Sequence, residues 1–176
     1  DYVFDGEASS PYVESCVTNP KSEYGLYKLN GELAILASDC QYLIIRTSWV
    51  FSEYGSNFMK TMLRVGSTNA QLSIVDDQIG CPTYAQDLAR SIVCLLPRLI
   101  EPNSFSGIYH YCGNGECSWY DFAQVIFEKA RHRGFKVPDH IIPIKTVAYP
   151  TPARRPKYSS LNTDKFFNTF GIAAPD

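Results

Sequence analysis

The alternation of strand-like and helix-like segments is the feature that most constrains how these 176 residues can fold. Short apolar runs, such as residues 42–47 and 71–75, alternate with longer stretches in which apolar residues recur every three or four positions. A strand that is followed by a helix and a second strand returns the chain to its sheet in the parallel direction. The alternation therefore predicts an α/β fold with parallel strand pairs.

Capping and breaking signals set the limits of these segments. Ser118 and Asp121 have the spacing of a capping box, which predicts that a helix begins at residue 118. Residues 149–156 are rich in proline and are predicted to form a loop. The predicted strands cover residues 1–4, 42–47, 71–75, 107–111 and 141–144, and the predicted helices cover residues 22–37, 57–65, 84–96, 118–133 and 163–169.

Charge and hydropathy exclude several partners. The chain has 16 Lys and Arg against 18 Asp and Glu, a formal charge of −2. This balance gives no electrostatic basis for binding nucleic acid or a membrane surface. The longest apolar run, residues 91–100, is interrupted by Pro97 and Arg98 and is shorter than the about 18 residues that a membrane span needs.

The cysteines indicate a reducing compartment. There are six, none of them in a CxxC pair, so a zinc site is not expected and neither is a disulfide framework. We therefore predict reduced thiols, a cytoplasmic location and no metal site. The cysteines are Cys16, Cys40, Cys81, Cys94, Cys112 and Cys117.

Tyr24 and Lys28 are the first candidates for catalysis. Residues four apart share one face of a helix, so the phenol and the ammonium are expected to lie together. A phenol is a poor acid at neutral pH, and a neighbouring cation favours the phenolate and makes it a better proton donor. The alternative is an amphipathic helix with a surface lysine.

The turn at residues 112–118 has the outline of a dinucleotide-binding loop. However, Ser118 stands where the third glycine would be, and Asp139 precedes its strand instead of following it. We interpret the turn as a capped helix start. His110, in the strand before it, is expected to be structural.

Three loops combine polar groups with apolar neighbours: residues 47–49, 77–83 and 154–156. Ligands bind open α/β sheets at the carboxyl ends of parallel strands, where the first two loops are predicted to lie. Trp49 can form the wall of a sugar pocket, and the Arg154–Arg155 pair can clamp a phosphate. Each loop also has an ordinary interpretation, as an aromatic plug, a turn or a solvated basic pair.

Taken together, these segments resemble the dTDP-4-dehydrorhamnose reductase family of the extended short-chain dehydrogenases/reductases. The resemblance follows the family's order and spacing over nearly the whole chain, so it is far more specific than the Tyr24–Lys28 spacing alone. The matching segments are residues 1–6 (DYVFDG), 24–32 (YGLYKLNGE), 46–51 (RTSWVF), 57–58 (NF), 77–83 (DQIGCPT), 118–123 (SWYDFA) and 150–162 (PTPARRPKYSSLN).

The resemblance implies an activity in dTDP-rhamnose and cell-surface polysaccharide biosynthesis. NADPH, or NADH in its place, would reduce the C4 keto group of dTDP-6-deoxy-L-lyxo-4-hexulose to give dTDP-L-rhamnose. Tyr24 would donate the proton and Lys28 would hold the nicotinamide ribose, so both would be catalytic and cofactor-binding. The nucleotide sugar would contact Asp1, Tyr2, Trp49, Asn57, Gln78, Thr83 and Arg155.

The resemblance also implies that residues 1–176 are the carboxyl-terminal portion of such a reductase, in which the remaining strands of a partial Rossmann fold are interleaved with the smaller substrate-binding region. The cofactor-binding half and the family's third catalytic residue, a Thr or Ser, would precede Asp1, and the fragment alone would be inactive. Some members hold Mg²⁺ between two subunits through glutamates, but Gln86 occupies one such position here, which agrees with no metal. A homodimer is compatible with the resemblance.

Three alternatives remain open at this stage. One is another sugar-nucleotide epimerase or dehydratase, and the related 4,6-dehydratases carry an Asp-Glu pair where this chain has Asp1-Tyr2. A non-catalytic relative, the regulatory β subunit of methionine adenosyltransferase, shares the first two segments, but Trp49 and residues 149–162 fit the reductase better. The third alternative is a nucleotide-sugar-binding fragment without activity.

Overall fold

Five α-helices, one 3₁₀ helix (Thr146–Ala148) and eight short strands form in the part of the chain that this computed structural model describes, residues 1–99, 105–151, 153 and 155–175. The helices are α1 (Glu23–Leu36), α2 (Phe58–Gly66), α3 (Ala85–Leu99), α4 (Trp119–His132) and α5 (Asp164–Phe170). The strands are β1 (Leu43–Arg46), β2 (Val50–Phe51), β3 (Gln71–Val75), β4 (Ile79–Gly80), β5 (Thr83–Tyr84), β6 (Gly107–His110), β7 (Cys117–Ser118) and β8 (His140–Ile144).

Side-chain caps fix the starts of three helices. Ser22, Asn57 and Ser118 each accept a hydrogen bond from a backbone N–H in the first turn, which would otherwise lack a partner. The Asp121 carboxylate accepts from the Ser118 N–H in return, so the predicted capping box is confirmed. The turn at residues 112–118 is thus a helix start, as we interpreted it.

One predicted helix end and one predicted strand are wrong. Helix α3 continues through Pro97 to Leu99, because a proline in the last turn removes one hydrogen bond without stopping the turn. Residues 1–4 form a turn instead of a strand. The Phe4 N–H donates to the Asp1 carbonyl at 3.2 Å, and the Asp1 carboxylate accepts from the Tyr2 N–H at 2.9 Å.

Parallel pairing dominates the described strands. β1 pairs with β6, β2 with β5 and β3 with β8 in parallel, and only β4 with β7 is antiparallel. The predicted α/β fold with parallel pairs is confirmed. The four two-residue strands were not predicted, because two residues carry no periodicity.

Three apolar clusters support this arrangement. One packs α4 on β3, a second packs α3 and α5 on β6, and a third joins the first residues of the chain to its last third. The third cluster holds the turn at residues 1–4 beside the loop at residues 77–83. Its buried members are Val3, Phe4, Tyr12, Cys81, Cys112 and Leu161.

Candidate active site

A cavity of about 600 Å³ opens beside the loops that follow β1 and β3. These loops lie at the carboxyl ends of parallel strands, where ligand sites form in α/β proteins. Side chains from the first turn of the chain, α1, α2 and the proline-rich loop complete the wall. The residues predicted to form the site that line this cavity are Asp1, Tyr2, Tyr24, Trp49, Gln78 and Arg155.

Gly25 sets the close approach of α1 to the turn at residues 1–4. A Cβ atom at this position would lie 2.2 Å from the Tyr2 carbonyl oxygen, so only glycine fits. The contact places Tyr24 edge-on to the Tyr2 ring, with centroids 5.4 Å apart. Burial raises the pKa of Tyr2, and the neighbouring Tyr24 adds to the effect while the Arg155 charge opposes it. Tyr2 therefore stays protonated at neutral pH and offers the cavity a hydrogen-bond donor.

Tyr24 and Lys28 lie on one face of α1, as their spacing predicts. The Lys28 Nζ atom is 5.4 Å from the centroid of the Tyr24 ring. The Tyr24 side chain lines the cavity and is 58% exposed, so its hydroxyl is accessible to a bound molecule. Lys28 is also exposed. An accessible phenol beside an ammonium suits both proton donation and contact with the ribose hydroxyls of a dinucleotide.

Trp49 is held in a strained backbone conformation at the centre of the wall. Its φ of 45° is rare for a bulky residue and costs on the order of 1–3 kcal/mol. Its indole stacks on the Trp119 indole, with centroids 3.5 Å apart and planes 5° from parallel. A Cβ atom on Gly80 would lie 2.4 Å from the Trp49 ring, so Gly80 makes room for the indole.

A chain of hydrogen bonds runs from this stack into the loop at residues 77–83. Trp119 Nε1 donates to Gln78 Oε1 at 3.1 Å, and Gln78 Nε2 donates to Thr146 Oγ1 at 3.0 Å. The Thr146 hydroxyl donates in turn to Asp77 Oδ1 at 2.6 Å. Burial opposes the ionised form of Asp77, but the hydrogen bonds from Thr146 outweigh it and hold the pKa of that carboxyl below its usual range. Asp77 is therefore an ionised anchor for the chain at neutral pH.

Three predicted site residues lie outside the cavity wall: Lys28, described above, and Asn57 and Thr83, which support the wall. Asn57 caps α2 and donates to the Ser52 carbonyl at 2.7 Å, so backbone partners engage its amide. The buried Thr83 hydroxyl accepts from the Gly113 N–H at 3.2 Å, and the Thr83 N–H donates to the Trp49 carbonyl at 3.2 Å. Arg154 lies outside the described residues.

A smaller cavity of about 280 Å³ adjoins the first. Its lining carries three cations, Lys21, Lys157 and Arg155, and two carboxylates, Asp5 and Glu7. Lys157 is partly neutralised by Glu7, whose carboxylate is 3.9 Å away. The two cavities therefore combine an aromatic wall with an extension lined by charges of both signs. They share the residues Tyr2, Gln78, Tyr149, Thr151 and Arg155.

The sequence reasoning did not single out Trp119 and Tyr149 as site residues, although both line the larger cavity. Trp119 directly follows the Ser118 cap, and an indole in the first turn of a helix was a signal that could have identified it. Tyr149 lies in the proline-rich loop, where no periodicity shows which side chain faces inward.

Within residues 1–99, 105–151, 153 and 155–175, no group of three or more His, Cys, Asp or Glu side chains is placed to hold a metal ion. No helix among the same residues is long and apolar enough to cross a membrane. The Gln86 side chain accepts a hydrogen bond from the Tyr84 hydroxyl at 3.1 Å. The expectation of no metal stays a prediction.

Known proteins resemble this chain in both sequence and fold. A dTDP-4-dehydrorhamnose reductase from Sinorhizobium fredii is 45% identical over 181 residues, covering 100% of this chain and 60% of that protein. A solved dTDP-4-dehydrorhamnose reductase from Clostridium acetobutylicum has a TM-score of 0.88 at 40% identity, over 99% of this chain and 59% of that one. The same enzyme from Bacillus anthracis, solved in complex with NADP, has a TM-score of 0.88 at 36% identity with the same coverage.

These similarities confirm the family resemblance and the partial extended short-chain dehydrogenase fold. The chain spans about 60% of the length of the curated relatives it matches. All of it, residues 1–176, matches the family described as the RmlD substrate binding domain. The chain belongs to the RmlD substrate binding domain family.

Proposed function

We propose that the protein containing these residues is an NADPH-dependent reductase of dTDP-6-deoxy-L-lyxo-4-hexulose that forms dTDP-L-rhamnose. Residues 1–176 would be its substrate-side portion, with most of the cofactor site outside them. The observation that carries the proposal is the position of Tyr24, whose accessible phenol lines a cavity walled by Tyr2 and Trp49. The names of the relatives and the NADP complex of one of them support it.

In this proposal, side chains of residues 1–176 donate the proton and stabilise the charge that its transfer leaves behind. Tyr24 donates its hydroxyl proton to the C4 oxygen of the sugar as that oxygen gains negative charge. Lys28, near the Tyr24 ring, stabilises the phenolate that remains and contacts the cofactor ribose. When bound, the reduced nicotinamide supplies the hydride. The exposed Tyr24 and Lys28 side chains fit a nicotinamide ribose because both are accessible hydrogen-bond donors.

The side chains that line the same cavity suit the parts of the proposed substrate. Trp49 presents an aromatic surface on which a sugar ring packs, and Tyr2 offers a neutral donor beside Tyr24. Arg155 lines both cavities, where its guanidinium suits the diphosphate between sugar and base. A cytoplasmic location and a homodimer belong to the same proposal.

Replacement of Tyr24 tests the proposal. In the full-length protein, Tyr24→Phe keeps the ring and removes the proton donor, so we expect kcat to fall about 100-fold or more. Turnover is followed as NADPH oxidation with the 4-keto sugar nucleotide. Tyr27→Phe is the matched control, because Tyr27 is exposed on the same helix and does not line the cavity.

The same assay separates the alternatives. A full rate in Tyr24→Phe would refute the proton-donor role. A wild-type protein that binds a partner protein but never oxidises NADPH would support a regulatory relative. Release of water from a 4,6-dehydratase substrate would support the dehydratase.

A further inference from the structure

The strained Trp49 residue is restrained at three points. Its carbonyl accepts from the Thr83 N–H, its ring edge lies over Gly80, and its ring face lies on Trp119. The backbone contact fixes the peptide, and among the described residues Trp119 is the ring that stacks on the indole face. Loss of that stack would remove one of the contacts that hold the indole in the wall and support the left-handed conformation.

The orientation of the Gln78 amide is fixed from both ends of its hydrogen-bond chain. The Trp119 indole N–H is only a donor, so its partner must be the amide oxygen. The Thr146 hydroxyl gives its hydrogen to the Asp77 carboxylate, so it must accept from the amide nitrogen. Gln78 is 5% exposed and lines both cavities. One N–H and one oxygen lone pair of the amide are left for a bound molecule.

We propose that Trp119 is a positioning residue of this site, which holds the Trp49 indole against the sugar pocket and sets the direction of the Gln78 amide. Trp119 does not act on the reacting atoms. It acts through two side chains that contact the nucleotide sugar, and the inference therefore rests on the proposed function. Its role is to keep a strained aromatic wall and a buried amide in one arrangement before the substrate binds.

Two variants separate the contributions of the stack and the hydrogen bond. Trp119→Phe keeps an aromatic face and removes the N–H, so we expect KM for the 4-keto sugar nucleotide to rise about fivefold. Trp119→Leu removes both, so KM should rise about tenfold or more. In both variants kcat should stay within about twofold, because Tyr24 and Lys28 are untouched. Tyr120→Phe, in the same turn of α4 and away from the cavity wall, is the matched control.

A spectroscopic measurement tests the geometry independently of activity. Two indoles stacked at 3.5 Å couple their excited states, which gives a paired positive and negative band in the circular dichroism spectrum of the full-length protein. Trp119→Phe and Trp49→Phe should each remove the same band pair, and Tyr120→Phe should leave it unchanged. Gly80→Ala, which pushes a Cβ atom into the Trp49 ring, should weaken the band pair and raise KM with Trp119 intact.

The outcomes distinguish this inference from the proposed function. If Trp119→Leu lowers thermal stability while KM stays at the wild-type value, Trp119 is only a packing residue and the inference is wrong. It is also wrong if the two single variants remove different bands, because the indoles are then not stacked. A wild-type protein that shows the band pair without turnover would refute the proposed reaction, and the positioning role for that substrate with it, while the stack itself would stand.

Discussion

At the scale of single residues, burial decides what each polar side chain can do. His110 is 0% exposed, and its Nδ1 is 3.0 Å from the Tyr12 carbonyl oxygen. Burial lowers the pKa of His110 to about 3, and the Arg46 charge adds to the effect. The imidazole is therefore neutral at physiological pH and takes no part in the proton transfer proposed for Tyr24. The expectation that His110 is structural agrees with this environment.

The buried His110 predicts a specific loss of stability in acid. The unfolded chain binds the proton near pH 6.5 and the folded chain only near pH 3. The free energy of unfolding should therefore fall as the pH drops below 6.5, by about 2 kcal/mol between pH 7 and pH 5. His110→Asn, whose amide can donate to the Tyr12 carbonyl, should remove most of this slope in urea unfolding of the full-length protein.

The exposed His132 provides the matched control for that experiment. His132→Asn should keep the wild-type slope of unfolding free energy against pH. Equal slopes in the His110 variant and the wild type would show that His110 is protonated in the folded protein as readily as in the unfolded chain.

At the scale of elements, α1 depends on two anchors. The first is the contact of Gly25 with the Tyr2 backbone, and Gly25 is the only buried residue of this helix. The second is a bidentate ion pair from Glu32 to Arg46 of β1, with Nε and Nη2 of the guanidinium at 2.9 and 2.6 Å from the carboxylate oxygens. Glu32 follows Lys28 by one helical turn, so the pair holds the helix face that carries the candidate catalytic groups.

We expect Glu32→Gln to be strongly destabilising. The Arg46 side chain is 5% exposed, so the variant leaves a buried guanidinium without its counter-charge. The free energy of unfolding should fall by about 3 kcal/mol, and kcat should fall as α1 loosens. The Arg90–Asp87 pair is the control, since its atoms are 3.6 Å apart and its arginine is 68% exposed, and Asp87→Asn should cost less than about 1 kcal/mol. Similar losses in both variants would argue against the anchoring role.

At the scale of the whole molecule, the candidate site is assembled from distant parts of the chain. Tyr2 and Arg155 are separated by most of the sequence but line the same two cavities. The apolar cluster that joins Phe4 to Leu161 brings their segments together. The site therefore depends on the packing of the entire chain and not on any one motif.

This assembly predicts a separate role for Arg155. Arg155→Ala should raise KM for the nucleotide sugar about tenfold with little change in kcat, because a charge-assisted contact to a diphosphate contributes to binding and not to the chemical step. The dependence of KM on salt should also become weaker. Kinetics at two salt concentrations would measure both effects. Lys136→Ala, at an exposed cation that lines neither of the two cavities described above, should match the wild type. A lowered kcat in Arg155→Ala with KM unchanged would contradict the binding role.

Local signals in the sequence determined the elements of this protein and the pairing of Tyr24 with Lys28. Ser22, Asn57 and Ser118 mark helix starts because capping is a contact within one turn, and residues four apart share a face in any helix. The strand predicted at residues 1–4 is wrong, because their apolar character gave no sign of the turn in which the Phe4 N–H donates to the Asp1 carbonyl.

Only the tertiary structure decided which residues meet at the cavity. The stack of Trp49 on Trp119, the Gln78–Thr146–Asp77 chain and the Glu32–Arg46 pair join residues that are far apart in sequence. The same long-range packing gave Thr83 its supporting position outside the wall, where it accepts from the Gly113 N–H. Periodicity and capping report contacts within a few residues, whereas these partners are set by how helices and strands pack, and the chain pattern does not encode that packing locally.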